Sequence, residues 1–349
     1  MRKRFLILTI IVLLSTLLVV PGCGKKESAA SGMEMDLFSL LPDNAMGVFS
    51  VNVKKLTSME FFDKMIQESE KESADKPGKV FENYADFVSK TGIDPKKDIQ
   101  AMVMGLYGKM GVGEPEVVFL VNINYNKDTL LKIIKEKGGE ITEETYKDVA
   151  MFKIKDDKGK DMSFAFVSPT LIAGGNPALL NRVIDLHKGS GNNILAAGKM
   201  KEYLSKMKGG AIASFVFGLP DEVKKVHDSG MFKMDLTKAE AITGYVDYAN
   251  KTWDVELKMI SYNEEANQQL VSTLNGLKMM AGAAGPEVAE LVNNLTLTAS
   301  SDSVKLSVSM TEELLEKLKT KIEERTKGLA QPMPTEEPTE AEPTETEQE

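Results

Sequence analysis

The sequence predicts an α+β protein built of two related modules, each an antiparallel sheet with helices packed on one face. Three observations predict it. Short apolar, β-rich segments come in hairpin pairs. Capped helical segments lie between them. The order of elements then repeats once along the chain.

In the first module, residues 41–207, "MGVFSVNV" (46–53) is a strand. A long helical insertion (56–91) follows. The strands "IQAMVMGLY" (99–107) and "EVVFLVNIN" (116–124) flank the glycine-rich connection "GKMGVGEP" (108–115). Asn126 starts a helix that stops at Gly138-Gly139. "VAMFKIK" (149–155) and "MSFAFVS" (162–168) form a second hairpin, and "TLIAGG" (170–175) adds a further strand. Asn176 as cap and Pro177 at the first position open a helix ending at Gly189.

The second module, residues 208–328, follows the same order. "AIASFVF" (211–217) is a strand, and "LPDEVKKVHDSG" is expected as a short helix. A hairpin, "AITGYVDYA" (241–249) with "TWDVELKMI" (252–260), precedes a helix over 263–280. "NLTLTAS" and "SVKLSVSM" make the last hairpin, and a closing helix begins at Thr311. Both modules read β-α-β-β-α-β-β-α, which points to an internal duplication. Tyr125-Asn126 and Tyr262-Asn263 occupy the same place in each, where a hairpin hands over to a helix.

Alternation separates the faces. Trp253, Val255, Leu257 and Met259 share one side of their strand, and Val304, Leu306 and Val308 one side of another. The strands at 99–107 and 116–124 are apolar throughout and are expected to be covered on both faces.

Outside the modules the composition changes. Three basic residues, Arg2, Lys3 and Arg4, precede an apolar run from Phe5 to Val20. At 1.5 Å per residue such a run spans about 24 Å, short of a bilayer core of about 30 Å. Residues 1–22 therefore read as a secretory signal peptide. Val20-Pro21-Gly22-Cys23 resembles the bacterial lipobox, although Pro21 departs from the usual small or β-branched residue. The resemblance implies lipid attachment, of the palmitate type, at Cys23. The alternative is an uncleaved anchor with an incidental thiol. Cys23 is the one cysteine of 349 residues, so no disulfide framework is available. Residues 23–40 carry the lipidated N-terminus and a tether. The segment 329–349 holds seven glutamates and no basic residue, the composition of a disordered tail.

The formal charge of −9 becomes −12 without the three signal cations, and about −5 without the seven tail glutamates. An acidic domain argues against nucleic-acid partners and against electrostatic docking on anionic lipid. The expected location is the cell envelope, on its extracytoplasmic side, in the periplasm and at the outer membrane if the cell has two. Gly24 after the cysteine fits that last pattern.

"LPDNAMGVFSVNVKKL", "YKDVAMFKI", "FAFVSPTLIAGGNPALLNRVID" and the "MKEYL" that follows resemble a family of duplicated α+β bacterial envelope proteins of unknown function. The resemblance implies the duplication and no chemistry.

No catalytic, cofactor or metal site emerges. "GKMGVGEP" leads into a strand, not the helix a phosphate loop needs. "GGNPALLN" offers glycines before a helix but no nearby cation. His187 and His227 read as residues at helix C-termini. No nucleophile motif is present. The 20 methionines, among them Met102, Met104, Met110, Met279 and Met280, read as core filler or as the lining of an adaptable apolar groove. Two functions follow. The first is a non-enzymatic binding or scaffolding protein of the envelope with an envelope protein partner. The alternative is a carrier or sensor of a lipid or other apolar ligand held between sheet and helices.

Overall fold

A computed structural model describes residues 32–73, 83–109, 112–137, 141–155, 159, 161–196, 198–221, 224, 226–228, 233–282, 286–318 and 320. Its strands are β1 (Gly47–Val51), β2 (Ile99–Lys109), β3 (Val112–Ile123), β4 (Thr142–Tyr146), β5 (Val149–Lys155), β6 (Asp161–Ser168) and β7 (Leu171–Gly175) in the first half. The second half adds β8 (Ala213–Gly218), β9 (Val226–Asp228), β10 (Lys233–Asp235), β11 (Ala241–Ala249), β12 (Thr252–Ile260), β13 (Leu295–Ala299) and β14 (Ser303–Thr311). The helices are α1 (Gly32–Phe38), α2 (Val53–Thr57), α3 (Glu60–Ser73), α4 (Tyr84–Thr91), α5 (Pro95–Asp98), α6 (Lys127–Lys137), α7 (Pro177–His187), α8 (Lys199–Ser205), α9 (Glu264–Ala281) and α10 (Pro286–Asn293). Residues 312–318 are also helical.

The expectation of two separate sheets is corrected. One 12-stranded antiparallel sheet runs β13-β14-β12-β11-β8-β1-β2-β3-β7-β6-β5-β4. The junction is the pairing of β1 with β8, from Gly47 opposite Phe217 to Val51 opposite Ala213. Both strands are apolar on both faces, so pairing each with the other leaves neither as a greasy free edge. At the seam Val48 faces Val216, both fully buried. Beside them the hydroxyls of Ser50 and Ser214 hydrogen-bond at 2.9 Å.

Helices on one face only is corrected too. On the first face, α1, α7 and α8 bury Leu37, Phe38, Leu179, Leu180, Val183, Ile184 and Leu204 against Val48, Val103, Val118, Leu120, Ala173 and Val216. On the second face, a cluster of Leu56, Phe62 and Trp253 packs with Val51, Val246 and Tyr248. A third cluster there joins Val308, Met310 and Leu314 with Val255, Leu291 and Leu295. The reason lies in composition: β1, β2 and β3 are apolar at odd and even positions, so both faces need cover.

Local chemistry sets the helix starts. Asn126 Oδ1 accepts the Thr129 N–H at 3.0 Å, and Asn263 Oδ1 accepts the Ala266 N–H at 2.9 Å. Asn176 caps α7 through the N–H groups of Ala178 and Leu179. The expected helix "LPDEVKKVHDSG" is replaced where it is described by the short hairpin β9–β10, in which His227 pairs with Met234. Pro220 and the β-branched Val223 and Val226 weaken the helical pattern there. The segment expected as a tether, 23–40, is in its last part a folded element, since α1 buries Leu37 and Phe38 in the core. β4, α5, α8 and α10 also lacked a sequence signal strong enough to read. β4 is exposed at four of five positions, so it shows no apolar alternation.

The seam hydroxyls give a test. Ser50→Ala and Ser214→Ala each remove this hydrogen bond between buried hydroxyls, and each should cost about 1–2 kcal/mol. The double variant should cost less than the sum, read from urea melts of all four proteins.

Candidate functional site

From β14 to β6 the second face of the sheet carries continuous apolar rows. Three cross-strand rows can be followed through the registers. One passes Val304, Met259, Ile242, Phe217, Gly47 and Leu106 to Val117. The middle row passes Leu306, Leu257, Gly244, Phe215, Phe49, Met104, Phe119 and Gly174 to Phe164. The third passes Val308, Val255, Val246, Ala213, Val51, Met102, Val121 and Ile172 to Phe166. None of these positions is polar.

The two faces differ in burial although their composition is similar at the centre. Val48, Val103, Val118, Leu120 and Val216 on the first face are at most 1% exposed. Their neighbours on the second face, Phe49, Met102, Met104, Leu106, Val117, Phe119, Val121, Phe215 and Phe217, are only half-buried, and Leu257 is exposed. The central part of the first two rows belongs to none of the three dry clusters, whereas Val255, Val246 and Val51 of the third row pack at the edge of two of them. At the usual strand spacing of about 4.8 Å, the six strands from β12 to β3 make a floor about 24 Å long.

Glycines shape that floor. A Cβ on Gly47 would lie 2.8 Å from the Phe217 ring, one on Gly244 2.8 Å from the Phe215 ring, and one on Gly174 2.4 Å from the Phe119 ring. Each ring therefore lies down on a neighbouring strand's glycine instead of standing off the sheet. Phe49 packs between them, 5.8 Å from Phe215 and 5.4 Å from Phe217 between ring centroids. The result is a low aromatic surface.

Two helices leave the ends of the floor strands β3 and β12. Leu130, Leu131, Ile133 and Ile134 of α6 are half-buried, and the most extensive contact of α6 is with α4. By contrast α7, on the first face, lies against β3, β6 and β7. At the root of α6, Tyr125 stacks on Phe166 at 5.2 Å and gives its hydroxyl to the Ser168 carbonyl. Lys127 Nζ sits 5.8 Å from the same Phe166 ring. On the other side α9 packs on β13 and β14, with Leu270 and Asn267 buried.

The residues singled out in the sequence divide between this face and elsewhere. Met102 and Met104 stand on the floor, and Met259 joins them. Met279 and Met280 lie outside it, 81% and 56% exposed at the end of α9. Met110 and Cys23 lie outside the described residues. The expected connection "GKMGVGEP" is shorter than its glycines suggest: Gly108 and Lys109 belong to β2 and Val112 to Pro115 to β3, so the strands run on into it, and residues 110 and 111 lie outside the described residues. "GGNPALLN" is no anion cradle, because Asn176 Nδ2 donates to the Glu116 carboxylate at 3.0 Å, where an anion would be repelled. Its glycines serve packing: Gly174 lies under Phe119, and a Cβ on Gly175 would fall 2.1 Å from the Val117 carbonyl oxygen. His187 ends α7 as expected, whereas His227 lies on β9, not at a helix end. Among the described residues no group of three or more His, Cys, Asp or Glu is placed to hold a metal.

One charged cluster lies where α2, the segment before β8 and the β11–β12 hairpin meet. Asp247 accepts Lys55 at 2.5 Å and Lys208 at 3.5 Å, and Lys55 also donates to the Gly210 carbonyl. Lys208 Nζ lies 4.1 Å from the Tyr245 ring centroid. Asp254, directly across from Asp247, is 8% exposed. Burial raises its pKa to about 6, Lys208 opposes the shift, and Asp247 adds to it. The cluster fastens α2 to the sheet.

No family model matches the chain, and no curated protein matches it in sequence. Among solved structures, three crystal forms of one protein, TP0453, are similar. Form III is 8% identical with a TM-score of 0.48, over 80% of this chain and 95% of that one. Form I is 8% identical with a TM-score of 0.45, over 80% and 94%. Form IV is 9% identical with a TM-score of 0.44, over 80% and 95%. Scores of this size assign neither family nor function.

Because the folded pKa of Asp254 lies above the ordinary carboxylate value, the folded state holds its proton more tightly than the unfolded chain. Its charge therefore costs stability above about pH 6, and that cost disappears as pH falls through about 6 toward 4. Asp254→Asn should raise the melting temperature at pH 8, by a stability gain of no more than about 3 kcal/mol, and change little at pH 4. Thermal melts at both values check the sign.

Proposed function

We propose that this is a non-enzymatic envelope protein that holds an acyl lipid or a comparable apolar ligand against the second face of its sheet. One observation carries the reading: three unbroken apolar rows whose centre stays half-exposed, while the opposite face of the same strands is dry. Exposed apolar surface of that extent marks a site of interaction. The floor of about 24 Å exceeds the length of one leaflet's hydrocarbon, about 15 Å. Its flexible Met102, Met104 and Met259 suit a chain that adopts more than one path. This takes the apolar-ligand reading ahead of general scaffolding, for which no partner surface of similar definition is described.

The setting of the proposal is membrane-proximal. The basic and apolar residues 2–20 and the lipobox-like Val20-Pro21-Gly22-Cys23 support export and lipid attachment at Cys23. Among the described residues no helix is long and apolar enough to cross a membrane. We also infer that the two halves arose by duplication. Reading outward from the seam, each half places a strand, then a hairpin, then a second hairpin pair, and Asn126 and Asn263 cap the helices at matching points.

The test is extraction of the purified chain followed by mass spectrometry of the organic phase, with a fluorescent fatty acid as the titrated probe. Lipid recovered in near-stoichiometric amount is expected. Met104→Lys places a charge on the floor and should weaken probe binding at least about tenfold. Absence of extractable lipid together with an unchanged titration in that variant would sink the reading.

A further inference from the structure

We propose that the ligand of the apolar floor is an acyl chain ending in an anionic oxygen group, a carboxylate or a phosphate, and that Lys127 receives that group at the β6 end of the third row. This rests on the floor being an apolar-ligand site, as proposed above. The three rows hold no polar side chain, so a head group can be recognised only where a row ends. The third row has unlike ends. At the β14 end Val308 is buried in a cluster with Met310 and Leu314. At the β6 end the row finishes on Phe166, which is half-buried. Tyr125 stacks on that ring at 5.2 Å, but its hydroxyl is committed to the Ser168 carbonyl. The cation at the ring is Lys127, with Nζ 5.8 Å from the ring centroid.

Lys127 is exposed, and among the described residues no carboxylate pairs with it, Asp128 included. Elsewhere at this end of the sheet lysines are matched, Lys147 with Asp185 at 2.6 Å and Lys153 with Glu144 at 2.6 Å. An unmatched cation at the rim of an apolar surface complements an anionic head on an apolar chain. The length of the floor agrees. From Phe166 the row passes Ile172 and Val121 to Met102, all half-buried and outside the three dry clusters. Three strand spacings of about 4.8 Å make about 14 Å, close to the hydrocarbon of one leaflet at about 15 Å. A chain with its head at Lys127 therefore ends near Met102 and Val51, where the cluster around Trp253 begins. Burial of the chain supplies affinity, and Lys127 supplies direction and selectivity.

The test is calorimetric titration of the purified full chain at about pH 8, where a carboxylate is ionised. The probes are dodecanoate, dodecyl phosphate and dodecanol, each below its solubility limit. The anions are expected to bind about fivefold tighter than the alcohol, with the advantage shrinking in about 1 M salt. Lys127→Ala should abolish the advantage and leave dodecanol binding unchanged, and Lys127→Arg should keep it. The tighter anion then identifies the head as carboxylate or phosphate. Equal binding of all three probes, or an advantage that survives Lys127→Ala, overturns the role of Lys127 and leaves the floor standing as a binding site. Loss of dodecanol binding in the alanine variant shows a packing role instead and overturns it as well. Failure of every probe to bind the unsubstituted chain overturns the reading of the floor itself, and this assignment with it.

Discussion

Everything else in the molecule hangs on the antiparallel pairing of β1 with β8. These two strands lie 162 or more residues apart in sequence, yet their five paired positions make one sheet from two halves. The pairing is over-determined on both faces. Val48 meets Val216 on the dry side, Ser50 meets Ser214 beside it, and Phe49 stacks with Phe215 on the other side. A slip of one residue would carry the serines onto the aromatic face and the phenylalanines into the packed core. The seam thereby fixes the register of every strand outside it.

From that register comes the asymmetry between faces. The first face is closed by α1, α7 and α8 with branched aliphatic side chains in the spaces between them. The second is closed only along one side, by α2–α4 around Trp253 and by α10 with residues 312–318 around Met310, which pairs with Trp253. Beside those two clusters the rings of Phe119, Phe215 and Phe217 lie flat on Gly174, Gly244 and Gly47. Glycine in a strand interior is normally destabilising. Three of them under three rings on the same face lower the floor without breaking the rows, and the same arrangement on the dry face would leave voids under α7.

The sequence made the hairpins, the capped helices and the double apolarity of β2 and β3 legible, since each leaves a local mark: turn glycines, an asparagine cap, a run without alternation. The apolar face was legible only in fragments, as Trp253-Val255-Leu257-Met259 and as surplus methionine. Its continuity depends on which strand lies beside which, and no local pattern says that β8 pairs with β1. His227 was misread for a related reason. A short stretch of charged and apolar residues suits a helix or a small hairpin, and the hairpin wins here where it can pack against α9. The ring-on-glycine pairs carried no signal at all, because partners such as Phe119 and Gly174 meet across strands.

The division of labour between faces has an energetic consequence. A domain's net stability is only about 5–15 kcal/mol, and a ligand present at a hundred times its dissociation constant adds about 2.7 kcal/mol. An occupant of the second face would thus contribute a sizeable share of the whole. It would not be needed to hold the fold, because the seam and the dry face are complete without it. The floor itself offers little room to adjust: its rings are seated on backbone, and its strands are paired on both sides. On the proposed reading, adaptation to different ligands would fall on the unbranched side chains of Met102, Met104 and Met259, and on α6, whose main contact is another helix and not the sheet. On that reading, a rigid aromatic floor with compliant methionines in the same rows would accept a range of chain shapes while keeping one fold.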